Sequence, residues 1–471
     1  MSGWGLAVAA VVLLALWGLR TARDDSSFFV ASRSAGAVLA GLGGTAAGLS
    51  AFVFVGGPGL FARLGVASLW IILSAPVTSA LQCWTVGERL VESARRHGCL
   101  TLPDVVASRF GEGWPRGLAA AAIAIGGTAT LAVQIAGCAV IGETLLGIPG
   151  WQVAAMAIGA TTAYAAAGGM RAGLVAEAVQ GAVMATAAVG LSVAALRAAG
   201  GTAHAVSVLA SRRPDLLETF GPAGPSSAFG LLLLFGVGTC AQPHYLQKFL
   251  LVRERASLRW MPAIMTLALL CVLTVWIGVG LGGTALWLEG AIEVTGPDAI
   301  APALLAGLAS PVLRTVALVA VVAAVMSTAA SLLNLVAAAV TRDLPRAIGI
   351  SPAPGLSAPR IATVATALMA SAVALTTARP VALLGVLGWG CATASLLPVM
   401  TLGLGWRGAT RRGVCAAMVL GPAVQLGLEW ARTHVRVDVR WEPGLTGAAV
   451  GFIVLAAASW LDSRHSEGST A

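Results

Sequence analysis

Charge is scarce in this sequence. Asp, Glu, Lys and Arg make up 10% of its 471 residues, against roughly 25% in a soluble protein. A fold that must cover itself in water needs more, so an Ala-rich soluble bundle is a poor fit. Histidine is scarce too, with five in all, and His97, His204, His434 and His465 fall in loops or the tail. A membrane-embedded enzyme would need clustered His, Asp, Glu or Ser nucleophiles within apolar stretches, and no such cluster is present. The seven cysteines (Cys83, Cys99, Cys138, Cys240, Cys271, Cys391, Cys415) are scattered and form no CxxC pair. That argues against a zinc site and a disulfide framework, and leaves them as small apolar packing residues. Only a short polar tail follows residue 461, so a sensor of this architecture would need a partner to signal.

What is present is apolar. Hydrophobic residues are 58% of the chain and mean hydropathy is +0.87, which excludes low-complexity disorder. With 58 glycines, helices can approach closely where lipid supplies no hydrophobic drive for association. A helix needs ~20 apolar residues to cross the hydrocarbon core. Thirteen stretches qualify, near 4–20, 36–55, 66–88, 117–141, 150–167, 174–197, 228–246, 262–287, 310–340, 361–378, 381–404, 412–429 and 444–461. The first charge, Arg20, comes after the first stretch rather than before it. That is the reverse of a cleaved signal peptide and places the N-terminus outside. With this orientation twenty of the 29 Lys and Arg fall in inside loops and nine outside, as the positive-inside rule requires. The C-terminus is then inside. The net charge of +9 is therefore an orientation device, not a nucleic-acid surface.

Two stretches are interrupted. The second holds Gly43-Gly44-Thr45-Ala46-Ala47-Gly48-Leu49-Ser50 and then Gly56-Gly57-Pro58-Gly59; the seventh holds Gly236-Val237-Gly238-Thr239-Cys240-Ala241-Gln242-Pro243-His244. Glycine weakens a helix and proline removes a donor. The two lie five stretches apart, the spacing of a five-plus-five repeat, and paired interrupted helices are where repeat-built transporters bind solute. Close-packing glycines with proline kinks are the plainer account, and these residues leave both open. The ninth stretch adds Ser327, Thr328, Ser331 and Asn334. Two adjacent hydroxyls suit a hard cation, but serine and threonine also bond back to their own helix. His244 and Lys248, one turn apart, read as an inner-end pair with the lysine reaching toward the headgroups.

The residues also resemble the sodium:solute symporter family over nearly the whole chain. Phe28–Ser34 is similar to its "YFLAGRS" segment, and Thr101-Leu102-Pro103-Asp104 with Arg109-Phe110-Gly111 to its "T-x-P-E/D…RFG" loop. Gly168-Gly169-Met170-Arg171-Ala172 with Glu177 and Gln180 resembles "GGLRAVxxTDxxQ", and Gln242-Pro243-His244 its "QPH" turn. Ala324–Leu333 with Thr341-Arg342-Asp343-Leu344 resembles "A-x-MSTxxSxL…RD", and Trp406-Arg407 with Gly413 "WkRxtxxGA".

The resemblance implies an all-α polytopic membrane protein with the leucine-transporter-type five-plus-five inverted repeat and about thirteen helices. Its parts would be an N-terminal helix and inside loop (1–35), a first repeat (36–198), an outside loop (199–227), a second repeat (228–405), two C-terminal helices (406–461) and a disordered tail (462–471). It implies sodium as coupling ion, held by the carbonyls of Ala46, Leu49 and Ala324 and the hydroxyls of Ser327 and Thr328, with Glu177 on the inner exit path. Gly48 stands where several members carry Asp or Asn, and Glu177 where Asp is usual. The expected activity is sodium-coupled symport by alternating access in the cell (inner) membrane. A proton-coupled or uncoupled carrier on the same fold, or a derived sensor, stays open. The central stretches are poor in amides and acids, which disfavours a sugar, so the expected solute is a small carboxylate or amino acid. Expected contacts are Ser50, Phe52, Gln134, Gly238 and Gln242. The sequence names neither the solute nor the oligomeric state.

Overall fold

A helix surfaced with alanine and glycine can lie almost backbone to backbone against its neighbour. In the computed structural model Gly18 and Gly168 meet this way: a Cβ added to Gly18 would sit 2.6 Å from the Gly168 Cα. The structure describes residues 13–50, 52–307, 311–376, 381–435 and 442–468, and these contain no β-strand beyond an isolated bridge between Ala35 and Val252. The helices that frame the interior are α1 (Ala37–Gly48), α2 (Gly57–Leu64), α3 (Leu102–Phe110), α4 (Trp114–Leu146), α5 (Gly150–Ala198), α6 (Gly224–Gly236), α7 (Pro243–Leu250), α8 (Pro311–Ala338) and α9 (Val381–Pro398). Helix α8 is central and packs on α1, α4, α5 and α7.

Among the described residues nine helices are long and apolar enough to cross a membrane. The difference from thirteen expected stretches has physical causes. Helices α1 and α6 have only 12 and 13 residues, because each is the first half of an interrupted helix. Helix α5 is 49 residues long but turns at Gly169, whose φ of 56° and ψ of −145° suit glycine alone. It therefore covers two expected stretches. A run from Phe52 to His97 joins α2 to the next stretch across a turn at Gly65. Residues 4–12 of the first expected stretch lie outside the described residues.

At the C-terminal end, Pro443–Gly468 is helical through most of the segment expected to be a disordered tail. Asp462 pairs with Arg412 at 2.8 Å, and extending an existing helix adds one hydrogen bond per residue fixed. Residues 469–471 lie outside the described residues.

Two motifs far apart in sequence share one buried network. Thr101 caps α3, accepting from the Asp104 N–H at 3.1 Å, while its own hydroxyl donates to Asp343 at 2.9 Å. Arg116, at the start of α4, reaches Asp104 at 2.5 Å and Asp343 at 3.0 Å. Arg342 closes the ring onto Asp104. All four charged groups are nearly fully buried. The network fixes α3 and the α4 start against the segment that follows α8, which holds α8 in place.

Candidate functional site

The first interruption follows Gly48. Leu49 is extended (φ −85°, ψ 94°), and its N–H donates back to the Thr45 and Ala46 carbonyls at 3.0 and 3.3 Å. The chain resumes helical form at Phe52, whose N–H donates to the Ser50 hydroxyl at 3.2 Å. Beyond the break, the Val53 carbonyl accepts from the Trp276 indole at 2.8 Å.

The second interruption lies between α6 and α7. A short turn over Gly238–Ala241 leads to an extended Gln242 (φ −74°, ψ 114°), and Pro243 starts α7 where its missing N–H does no harm. Carbonyls freed here are met by neutral donors. Gln82 donates to Thr239 at 2.8 Å, Trp389 to Leu234 at 3.1 Å and Thr78 to Gly236 at 3.2 Å.

Helix α8 brings its hydroxyl pair to the first interruption. The Ser327 hydroxyl lies 2.8 Å from the Ala46 carbonyl and 3.0 Å from the Ala324 carbonyl. One hydrogen serves two acceptors. The neighbouring Thr328 hydroxyl is buried with no partner. Ala46, Ala324 and Ser327 thus converge, and Leu49 and Thr328 line the adjoining cavity. A cluster of carbonyl and hydroxyl oxygens short of hydrogens is a donor set for a hard cation.

Between the interrupted helices lies a cavity. Phe52, Phe235, Tyr245, Trp276 and Trp389 form much of its wall, with Phe52 stacked on Phe235 at 5.6 Å and Phe235 against Trp389 at 5.1 Å. Among the described residues no charged side chain lines it. Of the expected solute contacts, Ser50, Phe52 and Gln134 line this cavity. Gly238 and Gln242 do not. Gly238 packs against Thr393 of α9, and the Gln242 amide is held by the Trp389 carbonyl at 2.9 Å. His244 lines the cavity beside Thr239.

Apart from Phe52, the aromatic wall was not expected from the sequence, since an aromatic residue in an apolar run has the same signature as packing. Tyr245 accounts for one departure from the family pattern. A Cβ added at Gly48 would lie 1.8 Å from the Tyr245 Cζ and 1.9 Å from its oxygen. The phenol fills the room that an Asp or Asn side chain would need. Gly48→Ala is therefore expected to cost at least ~3 kcal/mol through overpacking. Tyr245→Ala leaves a cavity that itself costs ~3–5 kcal/mol, but in that background the Gly48→Ala change should add little further loss, as read by thermal unfolding of the purified protein in detergent.

Lys248 requires a correction. It does not reach toward the headgroups but is 1% exposed, and its ammonium contacts Glu177, itself 0% exposed, at 2.5 Å. The Ser331 hydroxyl accepts from Lys248 at 2.7 Å and donates to Glu177 at 2.6 Å. A buried carboxylate on α5 supplied the countercharge, and its distance in sequence hid the pairing.

Comparison with known proteins gives the family and the fold. The chain is 26% identical to a sodium/pantothenate symporter of Haemophilus influenzae, over 91% of this chain and 89% of that protein. It is 24% identical to the high-affinity proline transporter PutP of Bacillus subtilis, over 88% of each. Among solved structures, a Na+-coupled sialic acid symporter in a substrate-bound outward-open state superposes with a TM-score of 0.78 at 15% identity, covering 97% of this chain and 96% of that one. That likeness gives the fold, of the leucine-transporter type. The sodium:solute symporter family profile matches residues 28–421, and with most of the chain inside that match, this protein belongs to the sodium:solute symporter family.

Proposed function

We propose that this protein carries a small carboxylate or zwitterionic amino acid in the cavity between its interrupted helices, driven by one sodium ion. The ion is held by the carbonyls of Ala46, Leu49 and Ala324 and the hydroxyls of Ser327 and Thr328. The observation that carries the reading is the Ser327 hydroxyl shared between two carbonyls beside the unpartnered Thr328 hydroxyl. The uncharged cavity wall supports a solute whose carboxylate is met by backbone at a helix break, since a half-helix N-terminus favours an anion without a counter-charge. The relatives named for pantothenate and proline fit this class, both solutes being carboxylates. Ser50, Phe52 and Gln134 are the side chains placed to touch the solute, with Gly238 and Gln242 supporting the second interruption from behind.

Sodium-coupled symport is transport, not catalysis, and its energetics set a ceiling. Moving one charge through 100 mV is worth about 2.3 kcal/mol, and a tenfold sodium gradient about 1.4 kcal/mol. One sodium with a zwitterion then sustains roughly several hundredfold accumulation. A monoanion with one sodium moves no net charge and keeps only the gradient share. In this reading residues 36–198 and 228–405 are the two repeats, the protein sits in the inner membrane with its N-terminus outside, and Glu177 lies on the inward path of the ion.

The test is uptake by the purified protein in liposomes, with radiolabelled L-proline and pantothenate and an inward sodium gradient. Uptake that vanishes when choline replaces sodium is expected for at least one of the two. Uptake that ignores sodium but rises with outside acidity would overturn the coupling.

A further inference from the structure

We propose that His244 and Tyr245, in the first turn of α7, are the donors that read the solute's carboxylate, and that they set a preference for acids over carboxyl-free analogues. This assignment deepens the proposed function and rests on it for the class of solute.

Most polar hydrogens in the cavity wall are already committed to backbone. Ser74 donates to the Ile71 carbonyl, Thr130 to Gly126, and Thr78 and Thr239 both to Gly236. The Trp276 and Trp389 indoles serve Val53 and Leu234, and Thr328 belongs to the ion. His244 and Tyr245 differ. Both line the cavity at 3% and 5% exposure. Their rings lie 5.1 Å apart, and each meets the Trp389 ring, at 5.9 and 6.0 Å. Among the described residues neither side chain has a hydrogen-bond partner, although buried polar groups as a rule find one. A phenol offers an O–H and a neutral imidazole an N–H. Two such donors side by side in an uncharged wall suit an anion with several lone pairs, and a carboxylate accepts from both.

The backbone puts this pair where the two interruptions face each other. Pro243 begins α7, so His244 and Tyr245 stand at the helix start, where partial positive charge favours an anion. The phenol reaches across to the first interruption: a Cβ on Gly48, the last residue of α1, would lie 1.9 Å from its oxygen. Only a residue without a side chain at position 48 leaves the hydroxyl that place. The His244 ring stands between the solute cavity and a smaller space lined by Gly126, Leu332 and Ala392. The carboxylate is thereby set between the end of α1 and the start of α7. Phe52, Phe235 and Trp276 give the rest of the solute an apolar bed.

The test uses the full-length purified protein in sodium chloride, with probes paired so that only the acid differs: L-proline with L-prolinamide, pantothenate with panthenol, propionate with propionamide. Affinity is read from the rise in unfolding temperature with probe concentration. Wild type is expected to bind at least one acid ~tenfold or more tightly than its carboxyl-free partner. Tyr245→Phe, which keeps the ring, and His244→Leu should each weaken that acid roughly 10–100-fold, the worth of a hydrogen bond to a charged group. The carboxyl-free partner should change less than ~threefold. His244→Gln keeps a donor and should recover part of the loss. A wild type that binds none of the acids, or binds acid and partner alike, overturns the proposal. So does an acid affinity unmoved by Tyr245→Phe, or an equal loss for acid and partner, which is what a packing role would give. Should His244→Leu fail to fold, Tyr245→Phe and the wild-type pairs decide. Acid binding that needs no sodium yet falls in Tyr245→Phe keeps this assignment and strikes the coupling. Acid binding that needs sodium and ignores both changes does the reverse.

Discussion

Thr328→Val should leave the sodium-free protein as stable as wild type, or slightly more stable, while removing most of its stabilisation by sodium. The Thr328 hydroxyl is buried without a partner, and replacing an unsatisfied polar group with an apolar one of the same shape is neutral or favourable. Ser327→Ala should behave differently. It removes the hydrogen that meets the Ala46 carbonyl at 2.8 Å, and a buried acceptor left unmet costs ~1–3 kcal/mol. That variant should unfold at a lower temperature even without sodium. Each change should weaken sodium binding by roughly 10–100-fold, since a hydrogen-bonding group facing a charge is worth ~1.5–3 kcal/mol. Sodium titrations followed by thermal unfolding read both effects, because a ligand bound only by the folded state raises stability with its concentration. A Thr328→Val protein stabilised by sodium as strongly as wild type would remove Thr328 from the donor set.

The sequence made some of this legible and hid the rest for identifiable reasons. The interruptions at Leu49 and Gln242 were visible because glycine and proline act locally, through backbone freedom and a missing donor. The Ser327–Thr328 pair was visible because adjacent hydroxyls stand out in an apolar run. Whether they face a carbonyl 281 residues away is a tertiary fact, and no local pattern carries it. The same applies to Lys248. Its position near a helix end suggested an exposed cation, and only the fold brings Glu177, 71 residues earlier, against it. Gly48 looked like a lost side chain, whereas Tyr245 occupies the room. The helix count was blurred where one helix turns without a loop, as at Gly169, since hydropathy reports polarity and not direction.

The buried network around Asp104 carries the other large effect. Burial pushes this carboxyl up, but the Arg342 charge, together with hydrogen bonds from Arg342, Arg116 and the Leu100 N–H, holds it down at about 2, against an ordinary 3.8. A carboxyl with a depressed value in the folded state stabilises the fold above its unfolded value. That contribution is lost as pH falls from about 4 through about 2, and it amounts to about 2 kcal/mol. Asp104→Asn does more damage than this alone, because it leaves Arg342 buried with only Asp343 at 3.8 Å, while Arg116 keeps Asp343 and the exposed Glu112. Removing one partner of a buried ion pair costs ~3–5 kcal/mol, so Asp104→Asn should unfold at a distinctly lower temperature at neutral pH. Arg342→Gln added to it should return part of the loss, since the second change removes a stranded charge. The gap between wild type and Asp104→Asn should narrow as pH drops below 4, where the carboxyl of the unfolded chain begins to take up its proton while the folded one does not. A gap that stays constant down to pH 2.5 would mean that Asp104 acts through packing and its cap on α3, not through its charge. The stretches Thr101–Asp104 and Thr341–Asp343 belong together for this reason: each supplies charges that the other must neutralise before α8 can present Ser327 to the break.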